Sequence, residues 1–375
     1  MKRVMKTLRP TKVFFIPIFL LLAALPSVVT ATDYTLIDLG TLGGPESYAF
    51  DLNDNRQVTG NSYVSDTVRH AFVWDDVNDM QDLGTLGGTD SGGTGVNNLG
   101  EVAGWSDFDG NTPFHAFYHD GNLMHDMGTL GGSFSIAFAI NDNSQIVGRT
   151  QLEDGTNHVF LFENGGMQDL GTLGGRTALG TDININELVV GSSLIADNTA
   201  DHAFIWDKDG GMRSLGTLGG NSSRAFSINI HGQVTGYSEY TDTTNNRHVF
   251  LWDEVNGMQD LGAFGESDLT TAFGINDHTQ ITGTSDGRAF LWDEENGMLD
   301  LCEVTNCTTE GWANLLEGRG INNHGDIAGT GVINGVNHAF LAIADTSVIP
   351  IPAAAWLFVS GLLGLVGMAR HKKAV

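Results

Sequence analysis

The segment 33–345 consists of short runs in which β-branched and aromatic residues alternate with polar or small ones, and turns rich in Asn, Asp and Gly separate these runs. One stretch contains four of them: "IAFAIN" (136–141), "QIVGRT" (145–150), "HVFLF" (158–162) and "MQDLGTL" (167–173). Such runs are typical of β-strands. Helical periodicity is not sustained anywhere in the segment. The pattern therefore predicts an all-β domain.

Three phrases recur in fixed order, about 44 residues apart. The first is "DLG" or a variant, with its Asp position at Asp38, Asp82, Asp126, Asp169, Ser214, Asp260 and Asp300. The second is a hydrophobic residue and an Asn, followed by a Gly, with the Asn at 53, 97, 141, 184, 229, 276 and 322. The third, "HAFLW" in its fullest form, begins at His70, His115, His158, His202, His248, Arg288 and His338. Each phrase is thus written seven times.

A period in the low forties with four short strands per unit predicts a β-propeller blade. Seven copies predict a seven-bladed propeller over residues 32–345, with six or eight blades as alternatives. The first "DLG" strand, at 34–40, precedes every other phrase, and the last unit ends at "HAFLAIA" without one. We therefore expect the N-terminal strand to complete the last blade, which closes the ring and removes exposed edges. An open solenoid is the competing architecture, but it needs polar capping repeats, which this sequence lacks.

The repeated His and Asp residues are candidates for either chemistry or framework. Centring the hairpin "WDDVNDM" on Asp76 places His70 opposite Asp82, and the same spacing relates the other copies. We expect structural pairs at His70–Asp82, His115–Asp126, His158–Asp169 and His248–Asp260, with Ser214 facing His202 and Asp300 facing Arg288. A ring of acid–base dyads or metal ligands is the alternative. Because catalysis needs one asymmetric site, we favour a buried, hydrogen-bonded pair in each blade that fixes strand register.

Other repeated residues have structural explanations as well. The repeated Asn residues are expected to form turns, and the glycines of "TLGG" to permit positive φ or close packing between neighbouring blades. The tryptophans at one blade position are expected in the core between blades rather than on a carbohydrate-stacking platform: Trp74, Trp206, Trp252 and Trp292. The sequence contains no nucleophile-elbow motif and no two-histidine zinc helix.

Departures from the repeat are where a function would lie. Aromatic residues follow the second phrase in some units only, and an insertion in the seventh unit carries another, namely Trp105, Tyr237, Tyr240 and Trp312. "SDFDGN" supplies Asp107, Asp109 and Asn111, a fragment of a calcium loop without its distal Glu. Calcium is the one cofactor that the sequence suggests. Cys302 and Cys307 are expected to form a local disulfide, which suits an exported chain.

The two ends of the chain resemble targeting segments. Residues 1–31 combine a basic start, the apolar run "VFFIPIFLLLAALPSVV" and a Val29-Thr30-Ala31 cleavage site, which predicts a signal peptide. In the tail, 346–375, an apolar segment at 353–369 would extend about 25 Å as a helix, the short limit for a membrane span. The cationic cluster 370–373 follows it and predicts a cytoplasmic end. The body is therefore expected outside the inner membrane.

Charge is segregated along the chain. The body between the two ends has 10 Lys and Arg against 45 Asp and Glu, a formal charge of −35. A surface this acidic repels nucleic acid and anionic headgroups, so neither is expected as a partner.

Two resemblances add to these expectations. The tail, with Ile349, Pro350, Ile351, Pro352 and Ala353 before its apolar segment and basic cluster, resembles the PEP-CTERM sorting signals of the Val-Pro-Leu-Pro-Ala type. That resemblance implies an exosortase-type enzyme as partner and delivery to the surface of a Gram-negative bacterium; a plain C-terminal anchor is the alternative. The units are similar to the HAF-type extracellular repeat, named for the His-Ala-Phe at 70–72, a family that implies export but no settled activity.

These observations predict an exported, surface-targeted, non-enzymatic propeller that binds a glycan, a protein or a cation at the envelope or in the exopolysaccharide matrix. A polysaccharide-acting hydrolase or lyase is the alternative, and it requires unique carboxylates converging at one mouth of the ring. An assembly scaffold for other exported proteins is not distinguished from the first prediction by sequence.

Overall fold

The computed structural model describes residues 34–108, 113–240, 246–264 and 269–345. Within them the chain forms strands and one four-residue helix, so the all-β prediction is confirmed. The signal peptide and the sorting tail, including the motif 349–353, lie outside the described residues. No helix among the described residues has the length and apolar character needed to cross a bilayer.

The strands are grouped in four-stranded units along the chain. β1 (Tyr34–Asp38) precedes the first unit, which contains β2 (Ser47–Leu52), β3 (Val58–Tyr63), β4 (Arg69–Asp75) and β5 (Asp79–Asp82). The second contains β6 (Ser91–Val96), β7 (Val102–Ser106), β8 (His115–His119) and β9 (Met124–Asp126). The third contains β10 (Gly131–Ile140), β11 (Ile146–Leu152), β12 (Asn157–Glu163) and β13 (Gly166–Gly171). The fourth contains β14 (Gly174–Ile183), β15 (Val189–Ile195), β16 (Asp201–Asp207) and β17 (Gly211–Gly216).

The later units follow the same plan. The fifth contains β18 (Ser223–Ile228), β19 (Val234–Glu239), β20 (Arg247–Asp253) and β21 (Gly257–Gly262). The sixth contains β22 (Thr270–Ile275), β23 (Ile281–Ser285), β24 (Arg288–Asp293) and β25 (Gly297–Asp300), and α1 (Leu301–Val304) follows it. The seventh contains β26 (Trp312–Ile321), β27 (Ile327–Ile333) and β28 (Val336–Ala344).

The first strand of the chain completes the last unit. Consecutive strands within each unit pair antiparallel, and β1 pairs antiparallel with β28 from Tyr34↔Ala344 to Asp38↔Phe340. The expected pairing of the N-terminal strand with the segment after His338 is therefore present. The first strands of consecutive units contact one another, and β2 also contacts β26. The described units thus follow one another in a closed circle.

Every first strand contains a β-bulge close to its end. In β2 the register shifts between Ala49 and Asp51, so that Phe50 has no direct partner on β3. The same shift occurs in β6, β10, β14, β18, β22 and β26. A bulge re-aims side chains, and here it allows two consecutive residues of one strand to face the axis of the circle.

A Phe in the third strand of each unit forms the centre of the core. The seven are 0–1% exposed: Phe72, Phe117, Phe160, Phe204, Phe250, Phe290 and Phe340. The facing second strand holds a Gly beneath each ring. In the third unit, a Cβ on Gly148 would lie 2.0 Å from the Ile136 carbonyl oxygen and 2.8 Å from Phe160 Cε1. This close approach explains the Gly that ends the second phrase.

Most of the remaining core lies between units. One cluster joins Val147 and Val159 of the third unit to Phe204 and Trp206 of the fourth. Trp74, Trp206 and Trp252 are buried, and Trp292 packs against a similar cluster, so the expected core role of the tryptophans is confirmed.

The "DLGTLGG" segment connects consecutive units. Asp82 Oδ1 accepts a hydrogen bond from Gly84 N at 2.7 Å, which holds Gly84 at φ 71°. Ser91 Oγ then donates to Gly84 O and accepts from Ala71 N, joining the second unit to the first. The first Gly of the pair, Gly87, has φ 117°, whereas Gly88 lies against Asp107 of its own unit. The predicted positive φ is confirmed at Gly87. The close packing was expected between neighbouring blades, but Gly88 makes it within its own unit.

The insertion in the seventh unit is a compact, cross-linked turn. Cys302 and Cys307 form the predicted disulfide. Trp312 is buried in the core beside Phe340. The Trp312 departure from the repeat is therefore structural.

Candidate functional site

Seven asparagines form a ring around the axis. Each side-chain Nδ2 donates to the backbone carbonyl of the next Asn at 2.7–3.2 Å, in the order Asn53, Asn97, Asn141, Asn184, Asn229, Asn276, Asn322 and back to Asn53. Each Oδ1 also accepts from two backbone amides of its own turn, as Asn141 does from Asn143 and Gln145 at 3.0 Å. The predicted turn role is confirmed, and the ring is a further role that the sequence did not reveal.

A cavity of about 420 Å³, the Asn-side cavity, opens at this ring. It contains three carboxylates, and each already accepts a hydrogen bond from a neighbouring backbone amide: Asp54 from Asn323, Asp142 from Asn98 and Asp277 from Ile230. These acids are therefore part of the framework that joins the units.

The opposite side of the axis is apolar. The bulge residue of each first strand lines a cavity of about 460 Å³, the aromatic cavity. The seven bulge residues are Phe50, Thr94, Phe138, Thr181, Phe226, Phe273 and Arg319. Four of these seven residues are Phe, and the two Thr residues and the Arg break the symmetry of the set.

A second set of positions around the axis is also asymmetric. The residue after the core Gly of each second strand is different in nearly every unit, namely Asn61, Trp105, Arg149, Ser192, Tyr237, Thr284 and Thr330. Asn61 and Trp105 line the aromatic cavity. Asn61 is only 5% exposed, and its Oδ1 has no hydrogen-bond partner among the described residues. A buried acceptor without a donor is costly, which makes Asn61 a candidate ligand contact.

Arg319 shows how this cavity holds a cation. Its guanidinium lies 4.0 Å from the ring centroid of Phe273 and 5.6 Å from that of Phe50. Glu317 neutralises it through a 2.9 Å ion pair. The circle of bulge residues thus already accommodates one planar cation supplied by the protein, in cation–π geometry.

Two carboxylates line a smaller cavity of about 120 Å³, the middle cavity. The same four Phe residues line both this cavity and the aromatic cavity. Asp51 accepts a hydrogen bond from Val96 N at 2.8 Å, and Asp182 accepts from Ser227 Oγ and Ile228 N, both at 2.9 Å. At this position the other units have Gly95, Ala139, Ser227, Gly274 and Gly320. The two acids are therefore unique within the repeat.

The surroundings of these acids favour their neutral forms. Burial raises the pKa of Asp51 to about 7, and the charge of Asp182 adds to the rise. Burial likewise raises the pKa of Asp182. Both residues are surrounded by protein yet keep partial exposure, because their carboxylates border the cavity. Perturbed acids in a cavity are typical of functional sites.

The predicted His–Asp pairs are present, but they are not buried. Nδ1 of His70, His115, His158 and His248 lies 2.8–2.9 Å from the paired Asp, His338 pairs with Asp38 at 2.8 Å, and Arg288 pairs with Asp300 at 3.1 Å. In the five His pairs the imidazoles are 17–24% exposed and the carboxylates 35–44%.

The predicted register was also wrong, by two residues. Asp82 lies opposite Phe72, so the hairpin is centred on Val77 rather than on Asp76, and His70 reaches Asp82 diagonally. Since the same Asp also binds a Gly amide of its connection, these pairs belong to the linkage between units.

The calcium prediction falls partly outside the described residues, which exclude Asp109 and Asn111. Asp107 is buried and accepts hydrogen bonds from Asp90 N at 2.8 Å and Thr89 Oγ1 at 3.2 Å. In the described ranges no group of three His, Cys, Asp or Glu residues is arranged to hold a metal ion.

Units of four antiparallel strands, arranged in a circle with their first strands at the axis, define a β-propeller. No protein-family description matches the sequence, and no curated protein sequence is similar to it. Among solved structures, the propeller domain of the trilobed protease from Pyrococcus furiosus, described as having an open velcro topology, matches with TM-score 0.51 and 12% identity. That match covers 80% of this chain and 96% of the other. This likeness supports the β-propeller fold.

Two further structures are more distant. An oligogalacturonate lyase in complex with manganese has a TM-score of 0.49 at 12% identity and covers 85% of this chain and 95% of the other. TolB from Acinetobacter baumannii has a TM-score of 0.42 at 13% identity over 60% of this chain, which spans about half, 53%, of that TolB.

The sequence contained a signal for the axial site that the prediction did not use. The sequence-based prediction named Trp105 because it departs from the repeat, and Trp105 does line the aromatic cavity. The residue two before each repeated Asn is Gly, Ala or Ser in five units and Asp in the other two, Asp51 and Asp182. Comparing this column across the units would have identified both acids.

Proposed function

We propose that this protein is an exported, surface-targeted, non-enzymatic β-propeller that binds a glycan of the envelope or the exopolysaccharide matrix in its aromatic cavity. The observation that carries the proposal is the asymmetry of that cavity. The units share the same three phrases in the same order, whereas the positions that line the cavity differ from unit to unit. A rigid ring whose axial positions vary from unit to unit suits recognition rather than a purely structural role.

The composition of the cavity suits a sugar. Phe50, Phe138, Phe226 and Phe273 offer apolar faces, while Asn61 and Arg319 offer polar atoms at the edge. Its volume of about 460 Å³ lies within the range of small-molecule sites, which combine apolar walls with a few polar groups. Each of the seven units is proposed to be one blade, in line with the seven-membered Asn ring.

Delivery to the surface is proposed from the chain ends. A basic and apolar start at 1–31 and the tail 346–375, with its resemblance to an exosortase signal, support export followed by processing. The acidic body supports a partner that is neutral or cationic.

The test is a glycan array probed with the purified full-length chain, with and without calcium. Phe138→Ala and Phe226→Ala should abolish the positive spots, whereas Val77→Ala, on an exposed hairpin, should leave them unchanged. An array without binding, or binding unaffected by both Phe variants, would contradict the proposal. Calcium-dependent binding would indicate that a bound cation takes part in recognition.

A polysaccharide-acting hydrolase or lyase is the second candidate, and the pair Asp51 and Asp182 favours it. An acid that holds its proton and a second carboxylate in the same cavity are the groups that glycoside hydrolysis requires. We expect no turnover on panels of polysaccharides and esters. Robust turnover that is abolished by Asp51→Asn or Asp182→Asn would establish the enzyme instead.

A further inference from the structure

We propose that the aromatic cavity binds a primary ammonium group carried on a polar chain, and that Asp51 and Asp182 receive it. This inference rests on the proposed binding function and names its ligand class. The chemistry fits a de-N-acetylated amino-sugar oligomer or a polyamine, since both present protonated primary amines on hydrophilic chains.

Neither acid has a cationic partner within ion-pair distance among the described residues. In the described part of the chain the Arg residues form ion pairs with other acids. The pairs are Arg56–Asp326, Arg69–Asp90, Arg213–Glu254, Arg224–Asp201, Arg288–Asp300 and Arg319–Glu317. Asp51 and Asp182 are instead held only by backbone amides and the Ser227 hydroxyl. Two carboxylates that line the same small cavity without a counter-ion are unfavourable, and a ligand cation would relieve this.

Three polar side chains of the cavity also call for a donor, namely Asn61, Thr94 and Thr181. Thr94 Oγ1 already donates to the Ala137 carbonyl at 3.0 Å, and Thr181 Oγ1 donates to the Ala225 carbonyl at 3.1 Å. Both hydroxyls can therefore only accept from a ligand. Asn61 Oδ1 is a buried acceptor without a donor. An ammonium group supplies three N–H donors and no acceptor, which complements this set.

The walls suit a cation as well. Phe226 and Phe273 pack edge to face at 5.4 Å, and Phe273 already carries the Arg319 guanidinium on its ring. Phe138, which lines both the aromatic cavity and the middle cavity, offers a further π surface. Cation–π contacts strengthen when they are desolvated.

The arginines in the cavity do not oppose this assignment. Arg319 is paired with Glu317 at 2.9 Å, and Arg69 lies 3.6 Å from Asp90. Both guanidinium groups are therefore engaged with other acids, and neither is an ion-pair partner of Asp51 or Asp182. The body, at −35, concentrates cations around the molecule.

The experiment is calorimetric titration of the purified full-length chain at neutral pH and low salt with three probes. These are a glucosamine tetramer, an N-acetylglucosamine tetramer of equal length, and spermidine. We expect the glucosamine tetramer to bind at least tenfold more tightly than its acetylated counterpart. Binding of spermidine with similar affinity would identify the ammonium group itself as the determinant, whereas its failure to bind would identify the amino sugar as the source.

Variants then locate the site. Asp182→Asn and Asp51→Asn should each weaken binding of the glucosamine tetramer about tenfold, and Phe138→Leu about threefold through the lost π face. The control Asp76→Asn removes one carboxylate from an exposed hairpin and should change affinity less than twofold. Both Asn substitutions retain a hydrogen-bond acceptor, and melting of each variant checks that it is folded.

Two outcomes would overturn the inference. If the acetylated tetramer binds as well as the free amine and Asp51→Asn and Asp182→Asn have no effect, the ammonium assignment is wrong while the binding function stands. If none of the three probes binds, the assignment is also wrong, and the glycan array alone decides whether the cavity binds sugars.

Discussion

The side-chain amide of Asn322 donates to the backbone carbonyl of Asn53 at 3.2 Å, although the two residues are 269 positions apart in the chain. This bond is the last link of the Asn ring and joins the seventh unit to the first. On the outside of the same junction, β1 pairs with β28 and Tyr34 Oη donates to the Gly325 carbonyl. The circle is thus closed twice, by a polar ring at the axis and by a strand at the rim.

Deleting residues 32–40 should destabilise the whole ring. The deletion removes β1, leaves β28 as an unpaired edge and takes away the Asp38 partner of His338. We expect the thermal midpoint to fall by more than about 10 °C, since a loss of several kcal/mol shifts a domain of this size by that order. Circular dichroism against temperature measures it, and a chain that lacks only residues 1–31 is the control. Equal melting of the two chains would mean that β1 does not close the ring.

Asn141→Ala should be among the most destabilising polar substitutions. Asn141 is 6% exposed, and its side chain bonds Asn184 O, Gln145 Oε1 and two backbone amides of its turn. Leaving these groups unsatisfied should cost about 2–3 kcal/mol.

Denaturant titration gives the free energy of unfolding of this variant. The matched control is Asn122→Ala, which lies in an exposed hairpin and should cost less than about 0.5 kcal/mol. Similar values for the two variants would show that the Asn ring contributes little to stability.

The architecture was predictable because the repeat itself encodes it. Seven copies of each phrase determine which runs are strands, and the unmatched "DLG" at 34–40 indicates where the first strand pairs. The His–Asp pairs were predicted, but the register of their hairpin was wrong because sequence spacing does not specify how many residues a turn contains. The Asp79 backbone has φ 56° in that turn, and the register consequently places Phe72 opposite Asp82.

The axial site was harder to predict because it depends on a bulge that no single strand reveals. Strict alternation would place Phe50 and Asp51 on opposite faces of β2. The bulge brings both to the axis, where Phe50 lines the aromatic cavity and Asp51 the middle cavity. Only the comparison of equivalent positions around the closed circle shows that Asp51 and Asp182 stand apart from their counterparts.

Gly148→Ala should disrupt the core of the third unit. The added methyl would lie 2.0 Å from the Ile136 carbonyl oxygen, and backbone cannot yield cheaply. We expect a loss of more than about 2 kcal/mol, as for other overpacked cores. Gly166→Ala is the control, since the nearest atom to its methyl is at 3.9 Å, and denaturant titration compares the two. Equal stability of both variants would show that the second strand can shift away from Phe160 without cost.

Asp51→Asn should stabilise the protein at alkaline pH and leave it nearly unchanged at pH 4. Burial and the nearby Asp182 raise the pKa of Asp51 to about 7 from its ordinary 3.8. Between these two values the folded state binds more protons than the unfolded state, so the contribution of Asp51 to stability falls as pH rises and is lowest above pH 7. Asn cannot ionise and escapes this loss.

The titratable groups that line the middle cavity are Asp51, Asp182 and the always-charged Arg319, so the substitution isolates one of two acids. Melting from pH 4 to pH 8 should show that the variant becomes more stable than the natural chain as pH rises. The difference in the free energy of unfolding should be on the order of 2 kcal/mol at pH 8, because water in the cavity screens part of the full effect. Asp76→Asn, on an exposed hairpin, should show no such divergence. Parallel stability curves for Asp51→Asn and the natural chain would mean that Asp51 ionises as an ordinary surface acid does. In that case the two carboxylates would not be unfavourable together, and a bound cation would have nothing to relieve.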